Sequence, residues 1–517
     1  MDRKCCSSVI VALTLSSAAI LVASLPETLC GQRKKYEPSW ESLSEWETPQ
    51  WFQDAVLGVY VHWGPYSVPG FVFKLPSERV DSGIWYGGGM YSMYSNEPED
   101  VLGVYEFHVK TYGDPEEFGY HDLINIFKAE KWDPDRWAEL FKYAGCDYAG
   151  LCAEHGDGYP MWDTKYDKFN AMTTGPKRDL LGEMFASARK LGMKTVATIH
   201  EHPGFLFEHA LEFAPKDSHL HDPKYKDLYH ADSPEVYVKK VYELIEKYQP
   251  DQLWLDNPIL SSNEKRWLRF VSDYYNKGEQ WGRGGVLISQ KGTSERLLQH
   301  TVLDIEGGNF PGGKWRWAGM KKPYPKRWQK DVPIGNYWAY AEGVGCRPVN
   351  MLVDGIVDRI SKNGVTLLDL APKGDGTIPE AQIRGMRELG DWMKHNKEAL
   401  YAARPAPFKE GGVDAWQAKG GTIRFTEKGN YLYAIDIGNK WPSTRGFADY
   451  EDSKKPTAPY TLPGVKPAKG SEIVMLGSNK KLPWKIEGNN LVIMELPDPL
   501  PCEHAWSFKI KFQDESE

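Results

Sequence analysis

The chain has 517 residues, 41% of them hydrophobic and 13% aromatic, enough to bury a large core with a smaller one beside it. A formal charge of −8 without a polybasic run excludes a nucleic-acid backbone or an anionic membrane surface as the main partner. Seven cysteines scattered over this length exclude a disulfide scaffold and show no paired zinc-ligand spacing.

Arg3 and Lys4 precede an apolar segment from Val9 to Leu25, which ends in Pro26 and the polar run "GQRKKYEP". The segment reads as a secretory signal peptide cleaved near Gly31, because it is short and rich in Ala, Ser and Thr for a stable span. The expected location is secreted or periplasmic, with no membrane span in the mature chain. Cys30 lacks the small residue that precedes a lipidated cysteine. Four cysteines then remain, and Cys146 and Cys152, beside and within one predicted strand, are expected to be buried thiols.

Strand-like apolar runs follow in order: "LGVYVHWG", "YAGLCAEH", "KTVATIH", "DQLWLDN", "VLIS", "VLDIEGG", "IGNYWAY" and "GVTLLDLAP". Amphipathic stretches such as "DPDRWAELFKYAG", "KRDLLGEMFASARKLG", "SPEVYVKKVYELIEKY", "VDGIVDRISKNG" and "IPEAQIRGMRELGDWMKHN" lie between and after them. Strands alternating with helices imply a parallel sheet, and this number over this length predicts an α/β fold of the (β/α)8-like barrel type. No GxGxxG turn points to a dinucleotide fold. Past Arg404, short alternating runs separated by Gly, Asn and Pro predict a C-terminal antiparallel β-sandwich, from "GTIRFTEKG" and "NYLYAIDIG" to "NLVIMEL" and "AWSFKIKF". The expected organisation is a signal peptide at 1–31, a catalytic barrel at 32–404 and a β-sandwich domain at 405–517.

In a barrel the C-terminal strand ends build the pocket, and here they are unusually polar. The first ends in His62 and Trp63, the second in Glu154, His155 and Asp157, the third in His200, Glu201 and His202, the fourth in Asp256, and the sixth in Asp304 and Glu306. Trp63, Tyr66, Trp85, Tyr86, Tyr159, Trp162 and Trp254 crowd the same loops. Carboxylates, imidazoles and aromatic platforms together suit a sugar, which presents hydroxyls to bond and an apolar face to stack. Each has a plainer alternative: a single His62 or His155 is as easily a hydrogen-bonded core histidine, and Asp157 and Asp163 suit loop bracing. His200-x-His202 has a metal-ligand look, but no lysine or further histidine is placed to complete a set, so no metal is expected.

The segments "WFQDAVLGVYVHWGPYSVPG", "IWYGGGMY", "YAGLCAEHGDGYPMWDTKYDKFNAMTTGPKRDLLGEM", "YQPDQLWLDNP" and "VDRISKNGVTLLDLAPKGDGTIPEAQ" together resemble, in order, the signature segments of glycoside hydrolase family 29, the α-L-fucosidases. The resemblance spans roughly residues 45 to 405. It implies a retaining exo-glycosidase on an irregular barrel, without metal or organic cofactor, acting on a fucosylated glycan or polysaccharide. Carried across residue by residue, it implies Asp256 as nucleophile, His62 and His155 as sugar-binding histidines, and Trp85 and Trp254 as pocket walls; Trp63 is the tryptophan of the same "HWG" motif.

This sequence also departs from that pattern. Gly156 stands where a second histidine is usual, and Ile84 where a sugar-binding glutamate is common. His200 and His202 stand as replacements on the third strand. The family's usual acid/base position holds Asn309, so Glu306 becomes the candidate acid/base, with Glu201, Glu154 and Glu342 in reserve. The expected substrate is therefore a terminal α-L-fucosyl residue or an L-fucose-like one, including sulfated or otherwise substituted forms. The alternative is a catalytically weak carbohydrate-binding relative.

Overall fold

The structure is a computed structural model. It describes residues 34–74, 80–81, 83–91, 103–200, 216, 221, 233–256, 260–291, 294–306, 320, 322–406, 417–418, 421–439 and 450–511. The predicted signal peptide, Glu201, His202 and Asn309 lie outside these residues.

Eight parallel strands form the main sheet: β1 (Leu57–Val61), β2 (Tyr148–Glu154), β3 (Lys194–Ile199), β4 (Gln252–Leu255), β5 (Leu287–Gln290), β6 (Val302–Leu303), β7 (Trp328–Pro333) and β8 (Gly364–Leu370). Neighbours in space follow chain order from β1 to β6, and β8 lies between β1 and β7. A parallel bridge between Asp304, just past β6, and Gln329 of β7 brings the two ends of the sheet together into a barrel. Every residue of β1, β2, β4 and β8 is buried. Such continuous apolar runs belong to parallel strands covered on both faces.

Helices α1 (Pro134–Tyr143), α2 (Leu180–Lys190), α3 (Pro234–Tyr248), α4 (Glu264–Trp281), α5 (Val349–Ile360) and α6 (Glu380–Asn396) cover the outside. The first four begin on Asp133, Asp179, Ser233 and Asn263, whose side chains accept a hydrogen bond from the third backbone N–H beyond. Each such cap contributes about 1 kcal/mol. Helix α5 is different: all its residues are buried, because it packs on β8 on one side and on the C-terminal domain on the other. Asp358 near its end pairs with Arg424 of that domain at 2.9 Å and with Lys362 at 2.8 Å, all three buried.

The C-terminal strands are β9 (Ile423–Lys428), β10 (Tyr431–Asp436), β11 (Tyr460–Pro463), β12 (Ile473–Met475), β13 (Trp484–Glu487), β14 (Asn490–Ile493) and β15 (Trp506–Lys511). One antiparallel sheet runs Arg404–Pro405, β9, β10, β15, β12, and a second runs β11, β14, β13. Their shared core includes Phe425, Leu432, Leu462, Leu491, Trp506 and Phe508. Sandwich strands were expected here, except β11, which had no counterpart among the predicted runs.

The seventh barrel strand corrects an expectation. "IGNYWAY", Ile334 to Tyr340, is not a strand; the strand is the more polar "WQKDVP" before it. Gln329, Lys330 and Asp331 are buried, each with hydrogen-bond partners: Lys330 donates to the backbone oxygens of Ile305 and Glu306, and Asp331 accepts from Tyr60 Oη. The Gln329 amide oxygen accepts from Tyr148 Oη at 2.8 Å and Gln252 Nε2 at 2.9 Å, and its amide nitrogen donates to Asp304 at 2.5 Å. A hydrogen-bonded interior suppresses the hydrophobic periodicity by which strands are read. Cys146 and Cys152 are buried free thiols, as expected.

Candidate active site

Five consecutive strands deliver polar side chains to one rim. His62 follows β1, and its backbone N–H donates to Asp369 Oδ1 at 2.9 Å and to Leu370 O at 3.2 Å, extending the ladder with β8. His155 follows β2. The backbone N–H of His200, just after β3, donates to Glu154 O at 3.0 Å, and that of Asp256, just after β4, to Ile199 O at 3.4 Å. The three imidazoles meet: His155 and His200 have ring centroids 4.0 Å apart, and His62 lies 5.2 Å from His155 and 5.6 Å from His200.

His200 Nδ1 lies 3.2 Å from Asp256 Oδ2 in a hydrogen bond. The Lys291 ammonium, next after β5, contacts Asp256 Oδ1, lies 2.9 Å from Glu306 Oε2, and sits 5.1 Å above the Trp254 ring. Aromatic rings wall the cluster: Tyr66 and Trp85 against His155 at 5.6 and 5.8 Å, Trp254 against His200 at 5.6 Å, and Trp338 against His62 at 5.6 Å. Trp85 is 38% exposed, at the mouth, whereas Trp254 is buried.

One residue expected here is elsewhere. Trp63 points away from the histidines: its indole N–H donates to Lys373 O at 2.7 Å and its ring packs among Phe127, Trp132 and Trp137. Successive residues at a strand end face opposite sides. His62 takes the inner side, so Trp63 takes the outer one and belongs to the packing under the helices.

Burial, then the neighbouring His200, holds His62 and His155 well below the ordinary imidazole range. Both are neutral rings at physiological pH, each offering one donor and one acceptor to a ligand hydroxyl. Burial likewise pushes the Asp369 carboxyl, 3.0 Å from His62 Nδ1 but outside hydrogen-bonding geometry, well above its usual value. Asp256 behaves oppositely. Burial alone raises its carboxyl, but His200 and then Lys291, each through charge and a hydrogen bond, outweigh burial and hold it far below the carboxylate range. Burial depresses Lys291, yet Asp256, Glu306 and Asp331 overcome it and raise its ammonium. The result is a fixed anion beneath neutral donors and aromatic faces, which can attack an electrophilic carbon or hold a developing cation.

The reserve carboxylates separate clearly. Glu154 Oε1 is 2.6 Å from the Lys240 ammonium, with both side chains at most 2% exposed, so it is tied into a buried ion pair. Replacing Lys240 with Met strips Glu154 of this cation and is expected to cost about 3–5 kcal/mol, read as a lowered denaturant midpoint with unchanged slope. Glu342 is exposed and accepts from Tyr340 Oη at 2.8 Å. Glu306, the candidate acid/base, is joined to Asp256 through Lys291, as neither described reserve is shown to be. Lys291 itself was missed, although it follows "LISQ" at a strand end as Asp256 follows "QLWL".

Comparison with known proteins places this rim in a family. The α-L-fucosidase family model matches residues 24–398. The chain is 25% identical over 500 residues to the plasma alpha-L-fucosidase of Homo sapiens, covering 92% of each chain. It is likewise 25% identical to an alpha-L-fucosidase of Branchiostoma floridae, over 92% of this chain and 96% of that one. Among solved structures, the Thermotoga maritima alpha-fucosidase in complex with fucose superposes with a TM-score of 0.68 at 28% identity, over 92% of this chain and all of that one. With the family model spanning nearly the whole barrel and both neighbour sets agreeing, the chain belongs to the α-L-fucosidase family and is a glycoside hydrolase of that type.

Proposed function

We propose that this enzyme removes terminal α-L-fucosyl or L-fucose-like residues from a glycan or polysaccharide with retention of configuration, through a covalent intermediate on Asp256. The observation that supports this most is one ammonium touching two carboxylates. Because Lys291 contacts both Asp256 and Glu306, their facing oxygens are separated by no more than two such contacts laid end to end, about 6 Å at hydrogen-bond lengths. Retaining glycosidases hold their carboxyls about 5–5.5 Å apart, inverting ones about 6.5–9.5 Å.

In this reading Asp256 attacks the anomeric carbon while Glu306 gives its proton to the departing glycosidic oxygen. Water then attacks the anomeric carbon as Glu306, now a carboxylate, takes a proton from it, and the bond to Asp256 breaks, releasing the sugar. His62, His155 and His200 bind hydroxyls, and Trp85 and Trp254 flank the ring. For Glu306 to deliver a proton, Lys291 must step back from its 2.9 Å contact as the sugar fills the space between the carboxylates.

Ile84, buried beside Trp85, and Gly156 leave this wall short of the two charge-capable groups expected there. Lost hydrogen bonds to charged groups weaken binding by roughly 1.5–3 kcal/mol each, which favours a substituted glycone, sulfated fucose or L-galactose, over plain fucose. The amino-terminal segment directs the enzyme to a secreted or periplasmic site; among the described residues no helix is long and apolar enough to cross a membrane.

The test is initial rates on 4-nitrophenyl α-L-fucoside beside sulfated fucosides and α-L-galactosides, with NMR of the first-formed anomer. The reading expects the α-anomer first and at least a tenfold higher kcat/KM on one substituted glycone. Equal rates on all of them remove the substituted-glycone part, first appearance of the β-anomer removes retention, and fucose binding without any hydrolysis leaves the weak-binding alternative.

A further inference from the structure

We propose that His62, His155 and His200 form a binding site for a first-row divalent ion of the zinc class, and that an ion seated there excludes the sugar. The sequence pointed only to His200 and His202 as a metal-like pair, and His202 lies outside the described residues. Three different strand ends instead bring together a set that is not contiguous in the chain. One ligand nitrogen from each of the three buried histidines lies within 4.8 Å of the other two.

Imidazole nitrogens about 2.0–2.1 Å from a tetrahedral zinc lie about 3.4 Å from one another. The rings therefore need to close by at most about 1.4 Å, within reach of small side-chain rotations. Their orientation favours it. His200 commits Nδ1 to Asp256 at 3.2 Å, leaving Nε2 buried without a hydrogen-bond partner. A carboxylate on the far nitrogen is the arrangement that orients metal-bound histidines. His155 Nδ1 is also buried without a hydrogen-bond partner. His62 Nδ1, 3.0 Å from Asp369 Oδ1 but outside hydrogen-bonding geometry, is likewise buried without a hydrogen-bond partner.

Charge also permits a cation: among the described residues, the two carboxylates Asp256 and Glu306 share the Lys291 ammonium. Imidazole donors select zinc, copper and nickel over magnesium or calcium. Three protein ligands leave a fourth position for water, and the ion takes up the histidine nitrogens that hydroxyls would use. The ion site stands on the histidines alone; only its competition with sugar rests on the fucosidase reading.

Cobalt(II) titration of the metal-free full-length enzyme tests it without a sugar. The expected result is one ion per chain with the visible absorption of four-coordinate cobalt, lost by at least tenfold in affinity in both His155→Ala and His200→Asn. In parallel, zinc is expected to raise the melting temperature of the wild type, and saturating L-fucose to abolish that rise. Cobalt spectra and affinity unchanged in both variants overturn the site, as does a wild type that binds neither ion. If the variants do not fold, the wild-type zinc shift decides. A zinc shift that fucose leaves untouched overturns the exclusion of sugar.

Discussion

Asp256→Gly is expected to lower kcat/KM on 4-nitrophenyl α-L-fucoside by about 10⁴-fold, a loss of roughly 5–6 kcal/mol of transition-state stabilisation at 1.36 kcal/mol per decade. The size follows from how completely the fold has prepared this group. A carboxylate at the end of a buried strand would ordinarily pick up a proton, yet His200 and Lys291 keep Asp256 ionised against burial. Among the described residues no other carboxylate contacts both His200 and Lys291, so none of them takes over the attack. Added azide is expected to enter the space the side chain vacates and restore turnover, with β-L-fucosyl azide as product, because the attack then comes from the nucleophile's face without a second displacement. Asp256→Asn separates shape from charge: it keeps a hydrogen-bond acceptor for His200 but is no nucleophile, and is expected to bind L-fucose while failing to turn over. Because its carboxyl is held so low, the acid limb of the wild-type pH–rate profile should belong to another group. Turnover in either variant within tenfold of wild type would remove Asp256 from the mechanism.

Why Asp256 could be read from the sequence and Lys291 was not is instructive. Both follow a short apolar strand at the rim, but Asp256 sits in a segment with a family resemblance and ends a run of three large apolar residues. Lys291 ends "VLISQK", where Ser289 and Gln290 blur the strand, since buried partners satisfy them: Ser289 accepts from Gln252 and Gln290 donates to Thr301. The same internal hydrogen bonding hid β7. Position at a strand end located His62, His155 and His200 but could not give the face, which is why Trp63 was taken for a pocket residue. Nor could it give partners that arrive from another element: Lys240 on α3 turns Glu154 from a possible acid into half of an ion pair, and nothing near Glu154 in the chain announces it. The barrel and the sandwich were legible because burial on both faces, or on one, imposes a period; the charge state of the site was not, because it is made by contacts between residues far apart in sequence.

Glu306→Ala provides the second large effect and the sharper discrimination, because its size should depend on the leaving group. A general acid contributes about 10²–10⁴-fold when the departing oxygen is a sugar alkoxide, and that is the expected loss of kcat/KM on a fucosylated oligosaccharide. With 4-nitrophenolate, which leaves without protonation, formation of the glycosyl-enzyme is largely spared and the intermediate accumulates, so kcat falls while KM falls with it. Azide then attacks the intermediate without needing a base and yields α-L-fucosyl azide, the anomer opposite to that expected from Asp256→Gly. The two variants thus assign the two carboxylates by product stereochemistry. Lys291 adds a further contrast: in Glu306→Ala its ammonium keeps only Asp256 of these two carboxylates, which is expected to stabilise ionised Asp256 without restoring a proton donor. Equal losses on both leaving groups, or none on either, would move the acid to Glu342 or Glu201, and the same pair of measurements on their alanine variants would then find it.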